Sequence, residues 1–565
     1  MSIHPPVTEL NITVEKKGFY QGFNSMVTLG SKFIIILLVL WAAVFSDQAG
    51  ALLKKMQGWS FESFGAWYIY AMAFYVIACL GLAIHPSLGK TKLGDPGEKP
   101  EFSTFSWIAM MFGAGMGIGM LTFSTAEPIY HFASNPDTIM GLVAPKSEET
   151  LRSVYKWSFF HWGLSAWGCY AIVGLALSFF TYNRKLPLTI RSGLTPLFGK
   201  KLEGPLGNIV DISAVVATIL GVAVTIGYGI TQFASGMHTV FGADWMINAQ
   251  GSPTNAAMII GLVIIMAASI LSAASGVGKG IKWLSNLNMF LSFALLIFFM
   301  IFGSPLVAIK SLALGMWDYL INFPIQGLTY WASSDVEPAA TLYKWQSIWW
   351  TVFYWAWWIA FAPFVGLFFA RISKGRSIRE YVMGTMIIPA IMCFLWFTVV
   401  GGTAIDLELS GQAGGTILGA GQEAQLFATL KVILSSGVAK AVTAMVVFLL
   451  MTYLITSADS AVLIINTINS GGDESQKEKT HIIFWGTIIT VLIATLLLAG
   501  GLAAIKSAML VGALPFSLIM VLMGIALFKA LIRDALRARQ GGKIVPVGTD
   551  TTTARAAVKA SVSEE

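Results

Sequence analysis

A chain of 565 residues that is 56% hydrophobic and only 12% charged carries too few charged groups to clothe a water-soluble globule of its size. It must be solvated by lipid. The basic excess, 36 Lys and Arg against 29 Asp and Glu, falls in alternate loops between apolar runs, so membrane topology accounts for the charge and no nucleic-acid partner need be invoked.

A bilayer core requires about 20 apolar residues per helix, and the apolar runs predict twelve spans in an all-α polytopic protein. They lie near 32-47, 66-84, 105-131, 157-181, 212-236, 256-275, 287-304, 346-370, 382-401, 438-467, 482-503 and 507-528. Residues 32-530 then form one transporter domain, with tails at 1-31 and 531-565. Basic residues cluster at Lys90, Lys92 and Lys99, at Arg184, Lys185 and Arg191, at Lys279 and Lys282, at Arg371, Lys374 and Arg376, and at Lys477 and Lys479. Those loops are expected on the cytoplasmic side, together with both tails. The polar segment before the first span lacks a cleavage signature after a short apolar core, so no removable signal peptide is expected. Cys79, Cys169 and Cys393 all sit inside apolar runs and read as packing residues.

The third span contains Gly113, Gly115, Gly117 and Gly119 at every second position. Each glycine weakens a helix by about 1 kcal/mol relative to alanine. An i, i+4 packing motif needs only one face, whereas these four go round the helix, which favours a broken helix and makes this span the first candidate for a binding site. In the fourth span Trp162, Trp167 and Tyr170 share one helix face. The eighth carries a dense aromatic run from Trp350 to Phe361, in which Trp357 and Trp358 lie too deep for an interfacial belt. The tenth holds Thr456, Ser457, Asp459 and Ser460, an oxygen-rich group in apolar surroundings. An alkali cation is its natural tenant; Asp459 is read either as a ligand or as a structural anchor.

The run from Trp350 to Trp358, followed by Pro363-Phe-Val-Gly366, Ala370-Arg-Ile-Ser373 and Gly375-Arg-Ser-Ile-Arg-Glu380, resembles the signature of the betaine/carnitine/choline transporter family. The glycine run, the Trp162/Trp167/Tyr170 spacing and Thr456-Ser457-Ala-Asp-Ser460 occur in the expected order. The resemblance implies a LeuT-like fold with inverted repeats of spans three to seven and eight to twelve, two extra helices in front, and a homotrimer in the bacterial plasma membrane. Trimer contacts in relatives involve an amphipathic helix after span seven, which 311-323 would supply. The resemblance implies import of a small zwitterionic onium osmolyte such as glycine betaine. It further implies an aromatic box at Trp162, Trp167, Tyr170 and Trp358, extended by Trp357 and Phe361, with Gly115, Met116, Gly117 and Gly119 at the carboxylate end. Phe361 stands where relatives often carry tryptophan. A sodium site is implied at Gly113, Met116, Tyr453, Thr456 and Ser457. A second is implied at Thr218 and Phe364, although Val222 occupies the next turn, where relatives offer another hydroxyl.

A membrane-embedded enzyme would need convergent histidine, cysteine or acidic groups, and the spacing of the six histidines predicts no such set. A channel would need charged rings or a filter sequence, and neither is found. Proton-coupled choline uptake and transport of carnitine, dimethylsulfoniopropionate or trimethylamine N-oxide are the alternatives within the family.

Overall fold

The computed structural model describes residues 6–115, 117–275, 278–475 and 478–539, and all regular structure in them is helical. Among the described residues, eleven helical elements are long and apolar enough to cross a membrane. Helices α1 (Ser25–Val44) and α2 (Ser46–Ile84) meet at Phe45, and α2 continues well beyond the span expected from the sequence. The third span is two short helices, α3 (Thr104–Gly115) and α4 (Ile118–Ala133). The fourth is also two, α5 (Thr150–Trp162) and α6 (Leu164–Ser178), a break that the apolar pattern did not foretell. Then follow α7 (Pro205–Phe241), α8 (Asn255–Ser275) and α9 (Gly278–Phe302). The segment expected as an amphipathic helix over 311-323 is longer, α10 (Pro305–Leu328), and is itself apolar enough to span.

Helix α11 (Thr351–Ile372) follows a π-helical turn at Lys344–Trp349, α12 (Ile378–Trp396) ends in another at Phe397–Gly401, and α13 (Ser436–Asn469) carries the oxygen-rich group. The last two expected spans are two helices that meet at a sharp kink, where Gly500 (φ 179°, ψ 22°) and Gly501 (φ 65°, ψ −156°) leave helical geometry; together they are labelled α14 (Lys479–Arg539). The boundaries at 31 and 530 fall within α1 and α14.

Burial separates an inner set of helices from an outer one. In the most apolar stretches of the fourth, fifth and eighth spans 94%, 78% and 83% of residues are buried, against 28% and 22% for Trp283–Phe302 and α10. A helix apolar all round and buried all round belongs to the core; one with an exposed apolar face meets lipid or another chain. Helix α10 presents Leu306, Ile309, Trp317, Leu320, Ile321 and Ile325 outward. Inside, α6 and α11 cross at a glycine pair: a Cβ at Gly174 would stand 2.8 Å from the Gly366 carbonyl oxygen, and one at Gly366 would stand 2.5 Å from Val173. That close approach sets the two tryptophan-bearing helices against each other.

Candidate functional site

The site is built at two helix breaks. Between α3 and α4, Gly117 is fully extended (φ −164°, ψ −170°), so the glycine run does interrupt the third span. Gly113 and Gly115 close α3; Met116 lies outside the described residues. Two residues on, a Cβ at Gly119 would lie 3.1 Å from Trp162 Cη2 and 3.4 Å from Trp357 Cη2. The glycine thus faces the aromatic group directly. Between α5 and α6, Gly163 (φ −95°, ψ −135°) breaks the helix and frees the carbonyls before it. The His161 carbonyl accepts from Trp358 Nε1 at 3.2 Å, and the Trp162 carbonyl accepts from Trp167 Nε1 at 3.0 Å. A polar group left unpaired at this depth is costly, so these indoles are held by the carbonyls that the break exposes.

The rings that gather here are those expected. Trp162 meets Trp358 edge-to-face at 4.9 Å between centroids, Tyr170 meets Trp358 at 6.2 Å, and Trp167 meets Tyr170 at 5.6 Å. Each of the four is only 5–6% exposed. Trp357 stacks on Trp358 at 5.0 Å, and its Nε1 donates to Thr225 Oγ1 of α7 at 3.1 Å. Phe361 instead pairs with Phe364 at 5.0 Å, away from these contacts. Trp355 lies behind, against Phe160 and His161 at 5.2 and 5.8 Å.

Behind the box is a group that sequence reasoning missed. Glu127 on α4 is fully buried and accepts four hydrogen bonds: Trp162 Nε1 and Tyr354 OH on Oε2, both at 2.6 Å, and His161 Nδ1 and His131 Nε2 on Oε1, at 2.6 and 3.2 Å. The expectation of no convergent histidines is therefore corrected: Glu127, His131 and His161 come together in space, because the α3–α4 break turns α4 toward α5. The available signal was an intramembrane Glu with His one turn later, the same rule that was applied to Asp459.

Comparison with known proteins then decides the family. The profile described as BCCT, betaine/carnitine/choline family transporter, matches residues 26–536. The chain belongs to the betaine/carnitine/choline transporter family. It is 36% identical over 507 residues to the glycine betaine transporter OpuD of Bacillus subtilis, covering 90% of this chain and 94% of that one. It is 35% identical over 522 residues to the ectoine/hydroxyectoine transporter of Virgibacillus pantothenticus, covering 92% and 98%. It is 34% identical over 527 residues to the high-affinity choline transport protein of Escherichia coli, covering 93% and 74%. A polytopic bacterial membrane protein follows from the family and the helices together.

In this family member the oxygen-rich group of α13 faces α8 and α9. Thr456 donates to the carbonyls of Thr452 and Tyr453 at 3.0 and 3.2 Å, and Asn288 Nδ2 approaches it at 3.4 Å. The Tyr453 hydroxyl shares a hydrogen bond with Ser292 at 2.9 Å. Ser272 donates to Asp459 Oδ2 at 2.7 Å, while the buried Oδ1 finds no partner among the described residues. Thr218 is buried and donates to the Ala214 carbonyl at 2.8 Å.

A cavity of about 500 Å³ opens above the box, bounded by Gln57, Phe123, Tyr130, Tyr228, Trp350, Phe353, Gln422 and Lys506 among others. Phe123 separates it from the box, touching Trp162 and Trp357 at 5.9 Å each. Sequence reading left Lys506 in the short link between the last two spans; the structure places it within α14, just past the bend.

Proposed function

We propose that this transporter imports a small zwitterionic onium osmolyte of the glycine betaine type, coupled to sodium, by alternating access. The observation that carries the reading is Gly119, set against Trp162 and Trp357 at the box. A quaternary ammonium has no N–H to donate and is best held by π faces, at about 0.5–2 kcal/mol per desolvated contact. A substrate with net positive charge would also need a counter-ion in the low-dielectric site. At Gly119, which faces Trp162 and Trp357, this chain offers none, and the carboxylate behind the box, Glu127, is engaged by Trp162, Tyr354, His131 and His161. A zwitterion brings its own. That the relatives' names include glycine betaine, ectoine and choline makes this discrimination the central question.

Sodium fits the donor set: the Thr456 hydroxyl, approached only by Asn288 Nδ2 at 3.4 Å, is adjoined by Ser457, and Asp459 Oδ1 is a buried acceptor without a partner among the described residues. With Gly113, Met116 and Tyr453 they would hold the ion, which prefers oxygen ligands; Thr218 and Phe364 are the proposed second site. A LeuT-like repeat is supported by interruptions in the first helix of each proposed half, at Gly117 and at Trp350 (φ −129°, ψ −83°). The exposed apolar face of α10 supports a homotrimer. The alternating basic loops support cytoplasmic termini, an orientation in which the cavity opens on the opposite side. One observation favours a second reading, proton coupling: a buried carboxylate with two imidazoles stands beside the box. Uptake into proteoliposomes decides between them. A glycine betaine, ectoine and choline panel, in sodium or potassium buffer with and without a pH gradient, should show sodium-driven zwitterion uptake. Undiminished uptake in potassium, driven by the pH gradient, would establish the proton reading.

A further inference from the structure

We propose that Glu127, His131 and His161 form a binding site for a divalent transition metal of the zinc class, buried between α4 and α5 behind the aromatic box. The inference does not depend on which osmolyte the transporter carries. Glu127 and His131 stand one turn apart on the same face of α4, and His161 comes from the last turn of α5. One ligand atom from each residue lies within 4.8 Å of the other two, and all three side chains are fully buried. Two imidazole nitrogens with one carboxylate oxygen make a donor set that suits zinc and its neighbours in the first transition row. Magnesium and calcium, which take oxygen ligands, are poorly served by it. Around a tetrahedral ion, ligand atoms about 2.1 Å from the metal stand about 3.4 Å from one another. His131 Nε2 is already 3.2 Å from Glu127 Oε1, and His161 Nδ1, at 2.6 Å, has to withdraw by about 0.8 Å.

The groups that hold such ligands in place are present as well. Glu127 Oε2, the oxygen that a monodentate carboxylate leaves over, accepts from Trp162 Nε1 and Tyr354 OH at 2.6 Å each. The other ring nitrogen of His161, Nε2, lies 3.0 Å from Thr351 Oγ1. Partners of this kind fix the orientation of ligating carboxylates and imidazoles and select the histidine tautomer. The metal replaces the two hydrogen bonds on Oε1. Each neutral imidazole then carries its proton on the other nitrogen, and that of His161 is received by Thr351 Oγ1, so neutral imidazoles bind with no net proton release. His131 packs against Trp350 and Trp345 at 4.7 and 5.3 Å between centroids, and both tryptophans border the cavity of about 500 Å³. One aromatic layer therefore separates the site from that cavity. An ion here joins α4 to α5 directly behind the Trp162 wall and stabilises the fold around the box.

The test uses the full-length transporter, purified in detergent without a histidine tag, stripped with a chelator and titrated with zinc. His131→Gln and His161→Gln are compared with wild type and with His85→Gln, a change at an exposed histidine outside the cluster. Zinc retained after desalting is counted by elemental mass spectrometry, and melting temperature is read with and without the metal. Wild type and His85→Gln are expected to retain one zinc per chain and to melt higher with it. His131→Gln and His161→Gln are expected to lose affinity at least about tenfold and to show no such rise. Cobalt bound to the wild type gives a readout that needs no variant: intense visible bands of a tetrahedral ion, and X-ray absorption showing two imidazoles. A wild type that retains no metal overturns the site, as does equal retention in the two cluster variants. A cobalt shell of six oxygens, the mark of an adventitious surface ion, overturns it too.

Discussion

Replacing Glu127 asks whether the box is a set of rings or a set of rings held in place. In Glu127→Ala the Trp162 N–H and the Tyr354 O–H, each 2.6 Å from Oε2, lose their acceptor, and His131 and His161 lose theirs. Hydrogen bonds to a charged acceptor are worth about 1.5–3 kcal/mol each, and a buried donor left unmet is penalised further. Tyr354 can rotate its hydroxyl, whereas an indole N–H can be satisfied only by turning the ring. Turning Trp162 removes one wall from the onium, about 0.5–2 kcal/mol, which is about 2- to 30-fold in affinity. Glu127→Gln behaves differently, because its single carbonyl can stay with Trp162 and Tyr354 while its NH₂ meets imidazoles in their acceptor tautomers. Equilibrium binding of radiolabelled glycine betaine to purified protein should therefore rank wild type, Gln, then Ala, and Ala should also lower the melting temperature. Wild-type affinity in a well-folded Glu127→Ala protein would refute the claim that this carboxylate positions Trp162.

Four further outcomes follow from the geometry. Trp162→Ala, Tyr170→Ala and Trp358→Ala should each weaken substrate binding about tenfold, and Trp355→Ala less, since Trp355 packs on Phe160 behind the box; equal losses at Trp355 and Trp358 in a binding assay would misassign the face. Gly119→Asp should gain choline binding and weaken glycine betaine, after Trp162 yields a few tenths of an ångström to the new Cβ; strong choline uptake by the wild type would overturn this. Thr456→Ala and Ser457→Ala should raise the sodium concentration needed for half-maximal uptake while leaving substrate affinity at saturating sodium little changed, as a sodium titration at fixed substrate would report. Gly163→Ala should destabilise the fold, because its Cβ would stand 2.4 Å from the Phe159 carbonyl oxygen and 2.7 Å from the Tyr319 hydroxyl; a melting temperature equal to wild type would mean that the break relaxes freely.

Composition and period alone determined that this is a bundle of membrane helices: only helices and closed barrels satisfy a backbone in lipid, and uninterrupted apolar runs of about 20 residues exclude the alternating strands of a barrel. The glycine run announced the break before α4, because its helix penalty is local. The box residues were legible in part: Trp167 and Tyr170, three positions apart, share a face of α6, whereas Trp162 closes α5 on the other side of the Gly163 break and joins them only through the tertiary structure. The break at Gly163 was hidden, since a lone glycine in an apolar run costs little and only the Phe159, Tyr319 and Phe394 contacts from three directions demand it. The hub on Glu127 was hidden for a related reason: His131 is four residues away, but His161, Trp162 and Tyr354 arrive from α5 and α11, and no sequence period records a meeting between helices. Lys506 shows the same division. Its charge is written in the sequence, yet whether a lysine at the edge of a span reaches water or turns inward over Phe353 depends on the bend at Gly500 and Gly501 and on the cavity that the packed helices leave.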